Sequence, residues 1–399
     1  MGLLSGISGN VIVLGLVSFL TDVSSEMIYP LLPLFVATLP GGSAAFLGVI
    51  EGLAETTASL LKLVSGSYSD RVRSRKGLVL AGYGVSSLAR PLIALAASPL
   101  GVLLVRVADR VGKGVRTSPR DALIADSTPP DQRGKAFGFH RSMDHAGAVV
   151  GPLLATAALY LLANDLRKVF WLAGIPGILA VVLIIFKLRE IPRQTVTLSP
   201  VKKLLPASLP HGPIRGYLVI LLLFTLGNSS DVFLLLKAGQ SGMSASKVAL
   251  LWTAFHVVKM LATMPFGALS DRIGRKKVII CGWIVYALSY AGFALASSQL
   301  QIWCVFLFYG IFYGLTEGVE KAFVADLAPE EQRGTVFGWF NLAIGVGSLP
   351  ASIIFGAIWT WGSPAAAFCF GASLAAVAAL LLFLLPLNAA IANEENKHA

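Results

Sequence analysis

The sequence predicts an all-α membrane protein of twelve transmembrane helices in two pseudo-symmetric six-helix bundles, with both termini cytoplasmic. Three observations predict this. Of the 399 residues, 55% are apolar and 13% are charged, about half the charged share of a soluble domain, so a water-soluble surface cannot be built from them. Apolar runs of span length recur about every 33 residues. Two distinctive polar patterns also return about 200 residues apart, which is the mark of an internal duplication.

The apolar runs lie near 10–38, 45–68, 78–97, 101–123, 135–162 and 169–187, then near 216–237, 246–269, 278–296, 301–324, 335–359 and 365–387. Each should be helical, because a lipid-exposed backbone must satisfy its own hydrogen bonds. Positions 1–9 carry no basic residue, so the first run reads as a retained span rather than a cleaved signal peptide. The polar stretch 189–213 holds five Pro and reads as a cytoplasmic linker. It divides an amino-terminal bundle, 1–188, from a carboxy-terminal bundle and short tail, 214–399. With the amino terminus inside, eighteen of the 32 Lys and Arg fall in inner loops and tail, against Arg167, Lys168, Lys237 and Lys247 outside. That asymmetry sets the orientation.

Several function classes are excluded. The net charge of +11 sits in inner loops or within spans, so it does not point to nucleic acid. Cys281, Cys304 and Cys369 lie inside apolar runs, which offers neither a disulfide framework nor a metal-ligand spacing. An enzyme would need a nucleophile with its base, a His/Cys metal cluster or a phosphate loop. A non-transporting membrane sensor stays as the less favoured alternative, since a sensor would usually carry an appended soluble domain. Neither pattern stands in the sequence, and no cofactor is implied.

The duplication is legible residue by residue. Gly66, Asp70, Arg71, Arg73, Arg75 and Lys76 recur 201 residues on as Gly267, Asp271, Arg272, Gly274, Lys276 and Lys277. Asp126, Arg133-Gly134 and Phe137-Gly138 recur as Asp326, Arg333-Gly334 and Phe337-Gly338. Two such halves suit alternating access, in which they rock about a shared midplane site. Gly66 and Gly267 permit close helix approach, while Asp70 and Asp271 offer carboxylates to a neighbouring helix amino terminus. Pro129 and Pro329, placed to open the fifth and eleventh spans, mark the expected partners.

At these residues the chain resembles the major facilitator superfamily, whose Gly-x-x-x-Asp-Arg-x-Gly-Arg-Arg/Lys loop follows the second span. The resemblance covers essentially the whole chain, and the twelve-span proton-coupled exporters are the most similar group. Arg73 departs from the pattern where Gly is usual. Arg106-Val-Ala-Asp-Arg110-Val-Gly-Lys113-Gly resembles the family's Arg-x-x-Gln-Gly-x-Gly motif with two charged replacements, and Gly147, Gly151 and Pro152 resemble the exporters' Gly-x-x-x-Gly-Pro motif. The resemblance implies a gating role for Gly66, Asp70, Arg71, Arg75, Gly267, Asp271, Arg272, Gly274, Arg275, Arg133, Arg333, Gly147, Gly151 and Pro152.

Ten basic and ten acidic residues lie within or near the ends of the spans, fifteen of them in the amino-terminal half. Each is costly in lipid and should face a cavity or a partner. The seven charges from Arg106 to Asp121 fall within an arc of about 140°, and Glu51, Glu55 and Lys62 within about 40°. Asp22 and Glu26 are i,i+4 on the first span, and Arg141, Asp144 and His145 share a face of the fifth. Asp22, Glu26, Glu51, Glu55, Arg106, Asp144 and His145 are the candidate proton-coupling residues. In that scheme Asp22 or Glu26 alternates between pairing with Arg106 and holding a proton.

Aromatic residues run the other way, with 12 of 38 before residue 200 and 26 after it. A cavity charged on one wall and aromatic on the other would suit a charged amphipathic solute. The candidate substrate contacts are Arg106, Arg110, Lys113 and Arg141 from the first half. From the second they are Asn228, Asp231, Trp252, His256, Lys259, Tyr309, Tyr313 and Glu317. The expected protein is a monomeric, multi-pass plasma-membrane transporter, most simply of a bacterial inner membrane, with a small-molecule substrate and the proton as coupling ion. Proton-coupled efflux is one reading, and import or exchange of an organic or phosphorylated anion, motivated by Arg106, Arg110, Lys113 and Arg141, is the other.

Overall fold

The computed structural model describes residues 6–41, 44–72, 74–191, 210, 212–243 and 245–386. The side chain of Glu51, Arg73, linker positions 192–209 and the tail from 387 onward lie outside the described residues.

Among the described residues the regular structure is entirely helical. The first half supplies α1 (Gly9–Glu26), α2 (Leu32–Ala37), α3 (Ala44–Arg71), α4 (Arg75–Leu92), α5 (Pro99–Asp126), α6 (Arg133–Leu161), α7 (Leu166–Leu172) and α8 (Gly174–Lys187). The second supplies α9 (Pro213–Gly227), α10 (Val232–Gln240), α11 (Ala245–Ile273), α12 (Arg275–Leu295), α13 (Gln299–Leu327), α14 (Arg333–Trp361) and α15 (Pro364–Leu384). Serine side chains cap the starts of α1, α4, α5, α13 and α15, each accepting an otherwise orphaned backbone N–H. Gly274, with φ at 97°, occupies the corresponding place before α12, where a side chain would strain the backbone.

Some predicted spans are interrupted. The first breaks at the 3₁₀ turn Tyr29–Leu31, where Pro30 cannot continue an i→i−4 ladder. The seventh breaks between Gly227 and Val232, and there Tyr286 Oη donates to the freed Gly227 carbonyl at 2.9 Å. Among the described residues, seven helical segments are long and apolar enough to cross a membrane. Helices α3, α5, α6 and α11 reach 28 or 29 residues but carry charged side chains along their lengths, which lowers their apolarity.

Polarity is inverted relative to a soluble protein. Leu295 is 84% exposed and Phe186 76%, whereas Arg75 is 0% and Asp109 1% exposed. In water that arrangement would waste apolar surface and desolvate charge. In lipid it is the expected one, since hydrocarbon replaces water outside and polar groups find partners inside.

Contacts divide the chain into two compact units. The first comprises 1–132, 139–206 and 330–341, and the second 133–138, 207–329 and 342–399. In the first, α3 and α4 pack on α5, and α1 and α4 on α8. Its apolar core gathers Val23, Met27, Phe35, Ile50, Val169 and Phe170. In the second, α11 and α12 pack on α13, and α9 and α12 on α15. That core is aromatic, with Phe224 stacked on Trp283 at 4.6 Å and Tyr286 on Tyr290 at 4.2 Å. The division by contacts differs from the sequence division at two short segments: the start of α6 counts with the second unit and the start of α14 with the first.

Candidate functional site

The exchange of helix starts has a specific chemical cause. Within the first unit, Asp70 at the end of α3 accepts the backbone N–H groups of Gly334 at 2.9 Å and Thr335 at 2.6 Å. A carboxylate here meets both orphan donors and the positive end of the helix dipole. Arg75 donates to Asp70 at 2.7 Å and also pairs with Asp126, which accepts from Arg333 at 2.6 Å. The second unit repeats the device: Asp271 accepts from Gly134 at 2.9 Å and Lys135 at 2.8 Å, and Asp326 joins Arg275 to Arg133. A Cβ on Gly66 would lie 2.1 Å from the Gly334 carbonyl oxygen, and one on Gly267 2.2 Å from that of Gly134. Both positions therefore require glycine.

Two sequence expectations are refined here. Pro129 and Pro329 do not open α6 and α14. The 3₁₀ turns Pro130–Gln132 and Glu330–Gln332 intervene, so the α-helical N–H groups first appear after Arg133 and Arg333. Arg71 and Arg272 are exposed, whereas Arg75 and Arg275 are the buried members of the networks.

Higher in the first unit lies a second polar constellation. Gly147 and Gly151 of α6 seat α1 so closely that a Cβ on them would fall 2.8 Å from the Asp22 Cβ and 2.7 Å from the Glu26 Cβ, and Pro152 follows within the same helix. Asp22 has Asp144, Glu26, Arg90 and Arg116 as charged neighbours, and Glu26 has Lys113, Arg110, Arg90 and Arg106. Asp144 is held by Ser18, by Arg141 at 2.8 Å and by His140 at 3.8 Å, with buried His145 next in sequence. Arg90 Nε donates to Asp109 at 3.0 Å and its Nη1 to the Thr21 carbonyl at 2.8 Å. Arg106 lies 3.6 Å from Asp109 on its own helix and over the Tyr29 ring at 5.7 Å, and it neighbours Glu26 electrostatically. Glu55 stands 3.8 Å from both Lys62 and Arg110.

In the second unit the polar groups are few and the rings many. Asp231, at the break before α10, accepts from Tyr309 and Tyr313 hydroxyls at 2.9 Å each. The Lys259 ammonium lies 3.6 Å from the Tyr313 ring centroid and 5.0 Å from that of Phe255, a cation–π arrangement. Trp252 contacts Phe255 and His256, and Glu317 neighbours Asp231 electrostatically. Asn228 caps the end of α9.

Comparison with known proteins decides the family. The pattern of the Major Facilitator Superfamily matches residues 14–240 and again 217–398. The chain belongs to this superfamily. An uncharacterised MFS-type transporter of Methanocaldococcus jannaschii is 38% identical over 388 residues, covering 95% of each chain. The multidrug resistance protein MdtH of Yersinia enterocolitica is 24% identical over 324 residues, covering 80% of this chain and 79% of its own. The crystal structure of the human organic anion transporter MFSD10 superposes with a TM-score of 0.78 at 17% identity, covering 94% of this chain and 99% of its own. The likeness to that structure concerns the fold. The protein is thus a multi-pass membrane transporter, of a superfamily that binds small-molecule substrates within the membrane and is not one of enzymes.

Within this major facilitator fold the duplication extends further than the sequence motifs. Positions 106, 109, 113 and 120 of α5 correspond at an offset of 200 to Phe306, Tyr309, Tyr313 and Glu320 of α13. Arg120 donates to Tyr83 at 3.4 Å, and at the corresponding positions Trp283 donates to Glu320 at 3.0 Å. One helix face is thus used twice, once for charge and once for rings. Sequence reasoning missed Ser18, His140 and the Trp283–Glu320 pair, because a lone serine, histidine or tryptophan carries no periodic signal. Applying the 200-residue offset to every charged position would have exposed the last of these.

Proposed function

We propose that the protein is a proton-coupled secondary transporter that works by alternating access and expels a small charged or amphipathic solute in exchange for protons. In this reading it is a monomer with twelve spans and cytoplasmic termini in a plasma membrane, most simply a bacterial inner membrane. The observation that carries it is the seating of Asp22 and Glu26 on Gly147 and Gly151, beside Asp144 and among Arg90, Arg106, Arg110, Lys113 and Arg116. A proton gained by Asp22 removes one charge from a patch where acids and bases interleave, and so changes which partners attract one another. The name of the Yersinia relative, a multidrug resistance protein, supports the outward direction.

A second reading, import or exchange of an organic or phosphorylated anion, draws on the cation excess of α5, and the name of the human neighbour, an organic anion transporter, agrees with it. Proteoliposomes under an imposed pH gradient separate the two. Antiport concentrates solute against the proton flow, whereas symport requires both to move together. Replacing Asp22→Asn should abolish gradient-driven flux while leaving gradient-independent exchange, and full flux in that variant would remove Asp22 from the coupling role.

A further inference from the structure

Four carboxylates are buried among the described residues: Asp109, Asp121, Asp144 and Glu320. Three of them face a cation, Asp109 with Arg90 at 3.0 Å, Asp121 with Arg120 at 2.9 Å and Asp144 with Arg141 at 2.8 Å. Glu320 has none. It lies within the apolar segment Gln299–Leu327 and is 7% exposed, and its one hydrogen bond among the described residues comes from the neutral Trp283 Nε1–H at 3.0 Å. Its one charged neighbour among them is Glu317, a like charge on the same helix. An ionised carboxylate so placed loses its hydration and gains no opposite charge, which is among the most costly arrangements a span can hold. A proton on the carboxyl removes that cost.

The duplication sets Glu320 apart from the contacts that hold the fold. Arg120 and Asp121 correspond at the 200-residue offset to Glu320 and Lys321. The first two form an ion pair, whereas Glu320 and Lys321, again adjacent and opposite in charge, do not. Around Glu320, α12 contributes Trp283 and α9 contributes Tyr217, while α10 and α11 present no titratable neighbour to it among the described residues. Tyr217 is fully buried, has Glu320 as its charged neighbour, and its hydroxyl makes no hydrogen bond among the described residues. A hydroxyl accepts from a protonated carboxyl or donates to an ionised one, so a partner for either state stands beside it. Glu317 is only half-buried, and it also neighbours Asp231 and Tyr313. Side chains three apart on a helix lie next to one another, so Glu317 offers the buried carboxyl a way to more open ground.

We propose that Glu320 is a proton-binding site of the second unit: its carboxyl carries a proton in this conformation, releases it by way of Glu317 and regains it by the same route. The step breaks and makes one O–H bond, and water accepts and supplies the proton. The site lies outside the coupling scheme built on Asp22 and Glu26 and gives the second unit a titrating acid of its own. The inference rests on the proton-coupled reading only for what the proton accomplishes in transport.

Infrared difference spectroscopy of the full-length protein in detergent tests the site with neither substrate nor gradient. Wild type minus Glu320→Gln at neutral pH should show the C=O band of a protonated carboxyl, displaced by deuterium exchange. Raising the pH should erase that band reversibly while the protein stays folded. Gln keeps an acceptor for Trp283 but holds no acidic proton, so thermal unfolding of the variant should match wild type. Trp283→Phe, with Glu320 intact, should shift the same band by removing its one donor, and it carries the test should Glu320→Gln not fold. Glu317→Gln should slow the deuterium exchange, and an unchanged rate would overturn the route. The proposal is overturned if neither variant alters a protonated band, for Glu320 would then be ionised. It is overturned equally if the band persists until the protein unfolds, which marks a sealed acid that only joins helices. A titrating Glu320 in a protein without gradient-driven flux would sink the proton-coupling reading and leave this site standing. Flux lost in Asp22→Asn, with no protonated band at Glu320, would do the reverse.

Discussion

Asp70 accepts the backbone N–H of Gly334 at 2.9 Å, joining the end of one helix to the start of another 264 residues later in the chain. Asp271 and Gly134 repeat the relationship at 2.9 Å. Each carboxylate serves two backbone donors and one buried arginine, so its loss leaves several groups unpaired at once.

Substituting Asp70→Asn or Asp271→Asn should destabilise the protein by roughly 1.5–3 kcal/mol, the range for hydrogen bonds to charged groups. Thermal unfolding in detergent measures this. Transport should fall in both variants, because the same junctions are the proposed gate, and unchanged transport in both would remove the gating role.

The approach of α3 to α14 leaves no room for a methyl group at position 66. Gly66→Ala should cost about 1–3 kcal/mol through overpacking, since the backbone carbonyl of Gly334 cannot rotate away as a side chain would. Gly84→Ala is the matched control, for nothing lies within 4 Å of its would-be Cβ, and it should be neutral or slightly stabilising within its helix.

Arg90 and Asp109 are both buried and 3.0 Å apart. Removing one partner strands a charge in a low-dielectric interior, at about 3–5 kcal/mol. Arg90→Met and Asp109→Leu should each lower the yield of folded protein sharply, and the double variant should recover part of the loss. A double variant worse than either single one would show that the pair is not the relevant unit.

Asp165 precedes α7 and accepts the backbone N–H groups of Lys168 at 3.2 Å and Arg167 at 3.1 Å. These bonds, with the Lys168 ammonium, hold its carboxyl below the ordinary value of 3.8. A depressed folded-state pKa gives stability that is present above the unfolded value and is lost as pH falls through the folded one. Asp165→Ala should therefore lower the unfolding temperature slightly at pH 7, and the difference should vanish in acid below the carboxylate range.

Much of the helix plan was legible in the sequence, because hydropathy and charge position report directly on the solvent that each segment meets. The helix-end motifs were legible for a different reason: a pattern repeated 201 residues on, from Gly66 to Gly267, stands out against any background. The partners of buried charges were not legible. The spacing put Arg106 forward as a partner of Asp22 or Glu26 but gave no sign of its ion pair at 3.6 Å with Asp109 on its own helix. Helical spacing places side chains on a face and says nothing of which opposing group comes within a few ångströms. Ser18 on Asp144 and Trp283 on Glu320 escaped for the same reason.

The sequence by itself determined that this chain is helical, lives in lipid and is built twice, since composition and periodicity depend only on each segment's own residues and its solvent. Tertiary structure alone decided that Asp70 caps α14 while Asp271 caps α6, that Asp22 and Glu26 rest on Gly147 and Gly151, and that Glu55 stands loosely among cations. Those outcomes depend on distances between residues far apart in the chain, and such distances are set by how helices pack rather than by the order of residues along any one of them.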